Sequence, residues 1–394
     1  MRFLKALGTA ALFLVIALCL APSVVPPFLD RVYYTGPVSD HFDGERFFNP
    51  DTTGPELAAH AGGPRGFLNR WVNGGRAEWP ERVPVIPTVP PRRVVGEEMH
   101  VTCIGHATVL IQTQGLNILT DPIWSERASP FSFVGPKRVR APGVRFEDTP
   151  KIDVVLISHN HYDHLDLPTL KRLWERDRPL IVTSLGNDTI LRGEGIEAVA
   201  LDWGQATPVM RRFEPALIDG RRVPVPAEQL LGTVIVDRNH HWSSRWGTDR
   251  NRALWSAFTI VLPGGNIFFA GDTGSGDGSW VAEAARRGPV RLAILPIGAY
   301  EPRDFMRHNH INPAEAVRVF EALDPGRALG VHWGTYQLTF EAIDEPRQRL
   351  EALKRRRGIA SERFVAIEAG RSFRVPPLRR PAAAPAAAAP GLIR

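Results

Sequence analysis

The chain has 394 residues, 43% hydrophobic and 23% charged; these values exclude wholesale disorder and a polytopic membrane protein and allow one large domain or two ordinary ones. The formal net charge is +6, with five Lys among 48 basic residues and Arg for the rest. That excess suits an anionic partner such as a phosphate ester or a lipid surface, and with no long basic tract interleaved with aromatics it speaks against nucleic acid.

Arg2 and Lys5 precede an uncharged apolar run from Ala6 to Ala21, the shape of a secretory signal or signal-anchor within residues 1–29. Sixteen residues at about 1.5 Å each cover about 24 Å, short of a bilayer core of about 30 Å. Pro22 directly follows the small-x-small triplet Cys19-Leu20-Ala21 and disfavours cleavage. The expectation is an exported chain with a retained anchor and the body outside the cytoplasm; a secreted or periplasmic form after cleavage is the alternative. Beyond Cys19 the only cysteine is Cys103, so an intradomain disulfide and a Cys-rich zinc site are excluded.

Residues 30–98 are Gly- and Pro-rich with few periodic runs and read as an irregular arm packed on the main domain, anchored by Phe47, Phe48, Trp71 and Trp79. The main domain is placed at 99–375. Met99–Cys103, Val109–Gln112, Ile118–Thr120, Ile152–Ile157, Leu180–Thr183, Val234–Asp237, Ala257–Leu262, Ile267–Ala270 and Leu292–Leu295 predict strands. Leu167–Glu175, Ala314–Leu323 and Arg347–Arg357 predict helices, the second opened by Asn312 as N-cap and Pro313. Strands and helices mixed throughout predict a layered α/β domain. The Pro/Ala-rich tail, 376–394, cannot build a core and reads as disordered.

The strongest chemical signal is Ser158-His159-Asn160-His161-Tyr162-Asp163-His164-Leu165-Asp166, directly after a buried strand. His159 and His161 point the same way in extended backbone, and Asp163 and His164 follow where the chain turns into a helix. Imidazoles with a carboxylate in one loop suit Zn²⁺ or another divalent metal. One loop cannot close two metal sites. His241 and Asp272 each lie just past the end of a predicted strand and His332 at the end of the short apolar run that begins at Leu329, where α/β sites are built, and they can supply the missing ligands. His240 competes with His241 for its role. Asp121 and Asp166 are candidates to orient ligand imidazoles, or are ordinary turn and cap acids. His106, in Gly105-His106-Ala107, reads as structural. Lys137, Arg138, Arg140 and Arg145 form a basic segment that either faces anionic headgroups or is plain solvated surface.

The His159–His164 run with its later His, Asp and His resembles the metallo-β-lactamase superfamily. Gly105-His106-Ala107-Thr108, Thr120-Asp121-Pro122-Ile123, Gly135-Pro136-Lys137-Arg138, His241-Trp242-Ser243, Ala270-Gly271-Asp272-Thr273-Gly274, Pro296-Ile297-Gly298-Ala299-Tyr300-Glu301-Pro302-Arg303 and Ile311-Asn312-Pro313-Ala314-Glu315 are similar to the N-acylphosphatidylethanolamine-hydrolysing phospholipase D family, in order from about His41 to about residue 370. The resemblance implies a four-layer αβ/βα sandwich and two Zn²⁺ per chain, another divalent metal being compatible. His159, His161 and His241 would hold one zinc, Asp163, His164 and His332 the other, and Asp272 both. It further implies His310 as a catalytic group with Asp163 and Asp272, and Asn309, His310 and Leu167 as substrate-lining. Asn309 stands where the family has Gln, and Leu167 where it has an aromatic; both alter the lining and leave the metal ligands alone.

The activity implied is phosphodiester hydrolysis of phospholipase D type on an N-acylphosphatidylethanolamine-like phospholipid at a membrane surface, giving phosphatidic acid and an N-acylethanolamine. Opening of lactones or other esters by the same superfamily is the enzymatic alternative. An anchored envelope protein with a structural metal is the non-enzymatic one, against which seven candidate ligands exceed the four that a structural zinc needs. The sequence leaves the oligomeric state open, a homodimer included.

Overall fold

The structure is a computed structural model that describes residues 29–51, 74–212, 216–218, 221–223 and 228–378, with residues 9 and 13–15 isolated in the leader. The expected anchor, Trp71 and the tail from 379 onward lie outside the described residues. Among the described residues no helix is long and apolar enough to cross a membrane.

The strands are β1 (Met99–Gly105), β2 (Thr108–Thr113), β3 (Leu116–Thr120), β4 (Val154–Ile157), β5 (Leu180–Ser184), β6 (Val199–Leu201), β7 (Ala206–Arg212), β8 (Ala216–Ile218), β9 (Arg221–Val223), β10 (Glu228–Asp237), β11 (Ala257–Val261), β12 (Asn266–Phe269), β13 (Val290–Pro296), β14 (Arg327–Val331), β15 (Phe364–Val365) and β16 (Ser372–Arg374). The helices are α1 (Leu167–Asp177), α2 (Asn187–Arg192), α3 (Ser279–Arg286), α4 (Arg303–Met306), α5 (Pro313–Leu323) and α6 (Glu345–Arg357). One seven-stranded sheet runs β16-β1-β2-β3-β4-β5-β6 and a second runs β15-β14-β13-β12-β11-β10-β7; β8 and β9 form a separate ribbon. Both large sheets are mixed: β3-β4-β5-β6 and β12-β13-β14-β15 are parallel, the rest antiparallel.

The layering follows from the two-residue period of a strand. In β4, Val154 and Leu156 point to the space between the sheets, where they meet Val234, Phe258, Ile294 and Leu329 of the other sheet. Val155 and Ile157 point the opposite way, onto Leu170 and Leu173 of α1 and Leu191 of α2. In β13, Leu292 and Ile294 face inward while Ala293 and Leu295 pack under Trp280 of α3, Val317 and Phe320 of α5 and Leu350 of α6. Strands covered on both faces must be apolar at every position, which is why these segments read as unbroken hydrophobic runs. The result is the four-layer αβ/βα sandwich.

Asn312 caps α5 as expected: its side chain accepts from the Glu315 N–H at 2.9 Å while the Glu315 carboxylate accepts from the Asn312 N–H at 2.8 Å. The sequence reading missed α3, although Trp280, Val281 and Ala284 form a buried stripe at helical spacing. It also missed the short strands β6, β15 and β16, too brief to carry a period. In the arm, Phe42 and Phe47 are buried against Leu254 and Trp255. Trp79 donates its indole N–H to the Glu341 carbonyl. Phe48 does not anchor: it is 36% exposed, because Phe47 takes the inward position beside it.

Candidate metal centre

Four strand ends deliver the ligands. β4 stops at Ile157, and the loop Ser158–Asp166 carries His159, His161, Asp163 and His164 before Pro168 helps to start α1. His241 follows β10, Asp272 follows β12 and His332 follows β14. Gly271 is required before Asp272: its φ is +60°, and a Cβ there would lie 2.7 Å from Ser158 Cβ and 3.0 Å from the Ser256 carbonyl oxygen. Three non-glycine residues at the centre also hold left-handed backbone, His106 (φ 57°), Asp121 (φ 33°) and His332 (φ 64°). Such conformations cost about 1–2 kcal/mol each and persist where neighbours fix them. Here the His332 N–H donates to the His106 carbonyl, and the His106 N–H to Thr335 Oγ1.

The side chains converge in two adjoining clusters. His159, His161 and His241 bring ligand atoms within 4.8 Å of one another, and so do His106, Asp163, His164 and His332. Asp272 joins them: its Oδ2 lies 3.1 Å from His164 Nε2 and 3.0 Å from His332 Nε2, and it also groups with His241 and His310. All of these side chains are buried except those of His161 and Asp163, which are partly so.

The tautomers follow from the hydrogen bonds. Ser158 Oγ donates to the Asp121 carboxylate at 2.6 Å, so it accepts from His159 Nδ1 at 2.8 Å; His159 Nε2 is left with its lone pair, 2.8 Å from His161 Nδ1. His241 Nδ1 donates to the Asn309 carbonyl at 2.9 Å, which leaves Nε2 bare. His164 donates Nδ1–H to Asp121 at 2.6 Å, so Asp121 orients ligands of both clusters. Burial first, then repulsion from neighbouring imidazoles, holds His159 well below the ordinary histidine range, and burial does the same to His241 and His310; burial drives His161 down to about 3. These rings are neutral, as ligation requires. Burial opposes charge on Asp163 and Asp272 as well, yet His164 and its neighbours carry both carboxyls well below the usual range. Burial likewise opposes charge on His332, but Asp272 and Asp163 raise it to about 9.

A divalent cation fits this donor set. His241 Nε2, His161 Nε2 and Asp272 Oδ1 are buried with no hydrogen-bond partner. Each such group costs about 1–3 kcal/mol in a protein interior unless something satisfies it.

Other expected residues fall as follows. His310 Nδ1 lies 3.9 Å from Asp272 Oδ2, and His310 and Asn309 line a cavity of about 170 Å³ with His161, Trp242, Phe305 and Leu338. Leu167 does not line it. It lines a separate groove of about 1010 Å³ with Tyr162, Lys171 and Arg245, at the start of α1, where it packs partly buried against the cluster of Leu170 and Leu173. His240 turns away from the centre, its Nδ1 on the His308 carbonyl and its Nε2 3.5 Å from Asp51. Asp166 touches no imidazole; it accepts from the N–H of Trp124, the N–H and hydroxyl of Ser125 and the hydroxyl of Thr169, tying the loop after β3 to α1.

Sequence reasoning missed two residues. His106, read as structural, donates Nε2–H to Asp163 at 2.8 Å with its ring 4.1 Å from that of His332; a histidine in the tight turn after β1, where Gly or Asn is ordinary, was the available signal. Arg245 stacks on Tyr162 at 3.9 Å and donates to the carbonyls of Asn160 (3.0 Å) and Leu165 (2.9 Å), clamping the metal loop. Nothing in its sequence context marks it.

A model of the β-lactamase superfamily domain matches residues 116–333. The chain is 34% identical over 301 residues to the N-acyl-phosphatidylethanolamine-hydrolyzing phospholipase D 1 of Caenorhabditis elegans, covering 72% of this chain and 79% of that protein. It is 34% identical over 255 residues to the mitochondrial N-acyl-phosphatidylethanolamine-hydrolyzing phospholipase D of Saccharomyces cerevisiae, covering 64% of this chain and 51% of the yeast one. Its fold superposes on isothiocyanate hydrolase from Delia radicum gut bacteria with a TM-score of 0.50 and 18% identity, over 71% of this chain and 100% of the other. Fold, relatives and ligand clusters together define a metal-dependent hydrolase. The chain belongs to the β-lactamase superfamily and, within it, to the family of the N-acylphosphatidylethanolamine-hydrolysing phospholipases D.

Proposed function

We propose that the chain is a binuclear zinc phosphodiesterase of phospholipase D type, hydrolysing N-acylphosphatidylethanolamine-like phospholipids to phosphatidic acid and an N-acylethanolamine. The observation that carries this reading is the convergence of two adjoining ligand clusters, on one loop and three distant strand ends, around the shared carboxylate of Asp272. His159, His161 and His241 would hold one cation and Asp163, His164 and His332 the other, with Asp272 serving both; bound there, the pair supplies Lewis acidity to phosphoryl oxygens and makes a water acidic near neutral pH.

In the reaction, oxygen from water bonds to phosphorus, the bond from phosphorus to the headgroup oxygen breaks, and the leaving alkoxide takes a proton. His310, buried at the cavity wall beside Asp272, is placed to take the proton that the attacking water loses and to hand it on to that alkoxide, with its ring facing the developing oxyanion. Trp242, Phe305 and Leu338 supply an apolar part of the cavity lining beside the polar groups. At about 170 Å³ the cavity is too small for a whole phospholipid, since drug-sized ligands fill about 300–1,000 Å³. It suits the phosphodiester and its neighbouring atoms, with the acyl chains left in a bilayer. Export, with the chain held at the membrane by the apolar segment after Arg2 and Lys5, keeps the enzyme on that two-dimensional substrate.

The test is metal content of the purified chain together with product identification on phosphodiester, lactone and β-lactam substrates, with and without chelator. Two equivalents of zinc and chelator-sensitive release of N-acylethanolamine from the phospholipid support the reading. Opening of the lactone with an intact phospholipid overturns it.

A further inference from the structure

We infer that the hairpin 126–138 is a membrane-insertion element whose apolar tip enters an anionic phospholipid bilayer beside the metal cleft. The inference deepens the lipid reading above and rests on it for its purpose.

The hairpin is closed at its neck. The Ala128 N–H donates to the Pro136 carbonyl at 3.0 Å, the Arg138 N–H to the Glu126 carbonyl at 2.8 Å, and the Arg127 guanidinium to the Gly135 carbonyl at 2.6 Å. Its base is fastened to the body, with Ala128 buried beside Ile123 and Tyr336. Beyond the neck the character reverses. Phe131 is 48% exposed, Phe133 77% and Val134 50%, and the two rings lie 5.5 Å apart at the tip. A neck held by three hydrogen bonds does not let those rings fold back onto the body, so they stay in water unless another surface covers them.

Size and charge select that surface. The three side chains expose on the order of 300 Å² together, against about 800 Å² per partner in a stable protein interface. A second copy is therefore a poor cover. Arg127 and Lys137 flank the neck against the single acid Glu126, which pairs with Lys137 at 3.0 Å, while Arg138 turns its guanidinium inward onto the carbonyls of Ser125 and Ile123. An apolar wedge on a net basic collar matches the boundary between acyl chains and anionic headgroups. Position agrees with this. Ser129 and Pro130 line the groove that contains Tyr162 of the metal loop, and Leu338, packed on the hairpin's base, lines the metal cleft. A tip seated in lipid holds the cleft at the surface where a phospholipid headgroup lies.

The experiment is hydrogen–deuterium exchange on the full-length, metal-loaded chain with vesicles of phosphatidylglycerol and phosphatidylcholine, with phosphatidylcholine vesicles, and without lipid. Because the proposed anchor would bind vesicles as well, the readout is the hairpin peptide alone. Exchange at residues 131–135 should slow about tenfold or more on the anionic vesicles and less on the zwitterionic ones, and the Phe131→Ser, Phe133→Ser double variant should lose that slowing while remaining vesicle-bound. Unchanged exchange in the hairpin of vesicle-bound protein overturns the inference. So does slowing that follows protein concentration without lipid, which would mark contact between copies. Exchange is read without turnover, so a failed insertion leaves the hydrolase reading intact, and protection without lipid hydrolysis sinks only the hydrolase reading.

Discussion

Two His–Asp assemblies in this molecule use the same side chains to opposite ends. In the arm, the buried His41 has Asp40 at 2.6 Å on Nδ1 and Asp202 at 2.8 Å on Nε2, and stacks on Trp203 with ring centres 4.5 Å apart. Both ring nitrogens are satisfied, so no lone pair is left to bind anything. At the metal centre the imidazoles outnumber the carboxylates, and buried atoms such as His241 Nε2 and Asp272 Oδ1 lack partners. The difference teaches that a histidine beside an aspartate is uninformative by itself. Unmet hydrogen-bonding capacity in a buried cluster is what marks a place built for an ion.

The sharpest way to break the comparison is to remove charge from the shared carboxylate. Asp272→Asn keeps the shape but takes the anion from between His164 and His332. Turnover should fall on the order of 10³-fold or more, metal content should drop below that of the parent, and the melting temperature should stay close to it. Steady-state kinetics and elemental analysis of one preparation check this; full turnover with full metal would mean that the unsatisfied cluster has another purpose.

Next comes the clamp. Arg245→Met leaves the carbonyls of Asn160 and Leu165 unpaired and frees the ring of Tyr162. The expected result is a 10–100-fold loss of metal affinity with about 2–3 kcal/mol of stability lost, read by competition with a chelator and by urea unfolding. A loss of stability without loss of metal affinity would confine Arg245 to packing.

How much of this could be read from the sequence depended on distance along the chain. The loop from His159 to His164 concentrates its ligands, so chemistry alone pointed to it. His241, Asp272 and His332 are isolated, and only the rule that sites gather at strand ends, joined to the family resemblance, drew them in. The sandwich was legible because strands buried on both faces are apolar throughout, as in Val154–Ile157. What stayed hidden depends on side-chain direction. Asp121 and Asp166 looked equivalent, yet the first grips His164 and Ser158 while the second ties a loop to α1. Leu167 looked like a lining residue of the metal cavity, yet at the start of α1 it lines a separate groove.

His106 sharpens the comparison from within the centre. Burial and the nearby His332 lower it to about 4, so it is neutral and donates to Asp163 without competing for charge. His106→Asn keeps a residue tolerant of the left-handed backbone (φ 57°) while shortening the donor. A roughly tenfold loss of metal affinity is expected, smaller than that from Asp272→Asn, measured in the same chelator competition.

The satisfied pair in the arm should answer to protons alone. Burial disfavours charge on His41, but Asp202 and Asp40 overcome it and raise the imidazole above its ordinary value of 6.5. A group raised on folding contributes stability that is fully present below the unfolded value and is lost as pH rises through the folded one. The parent should therefore melt above His41→Asn by roughly 2 °C at pH 6, and the gap should close in alkaline buffer while metal content stays equal in the two proteins. A gap that persisted unchanged to high pH would assign the contribution of His41 to stacking on Trp203, since a ring contact does not titrate.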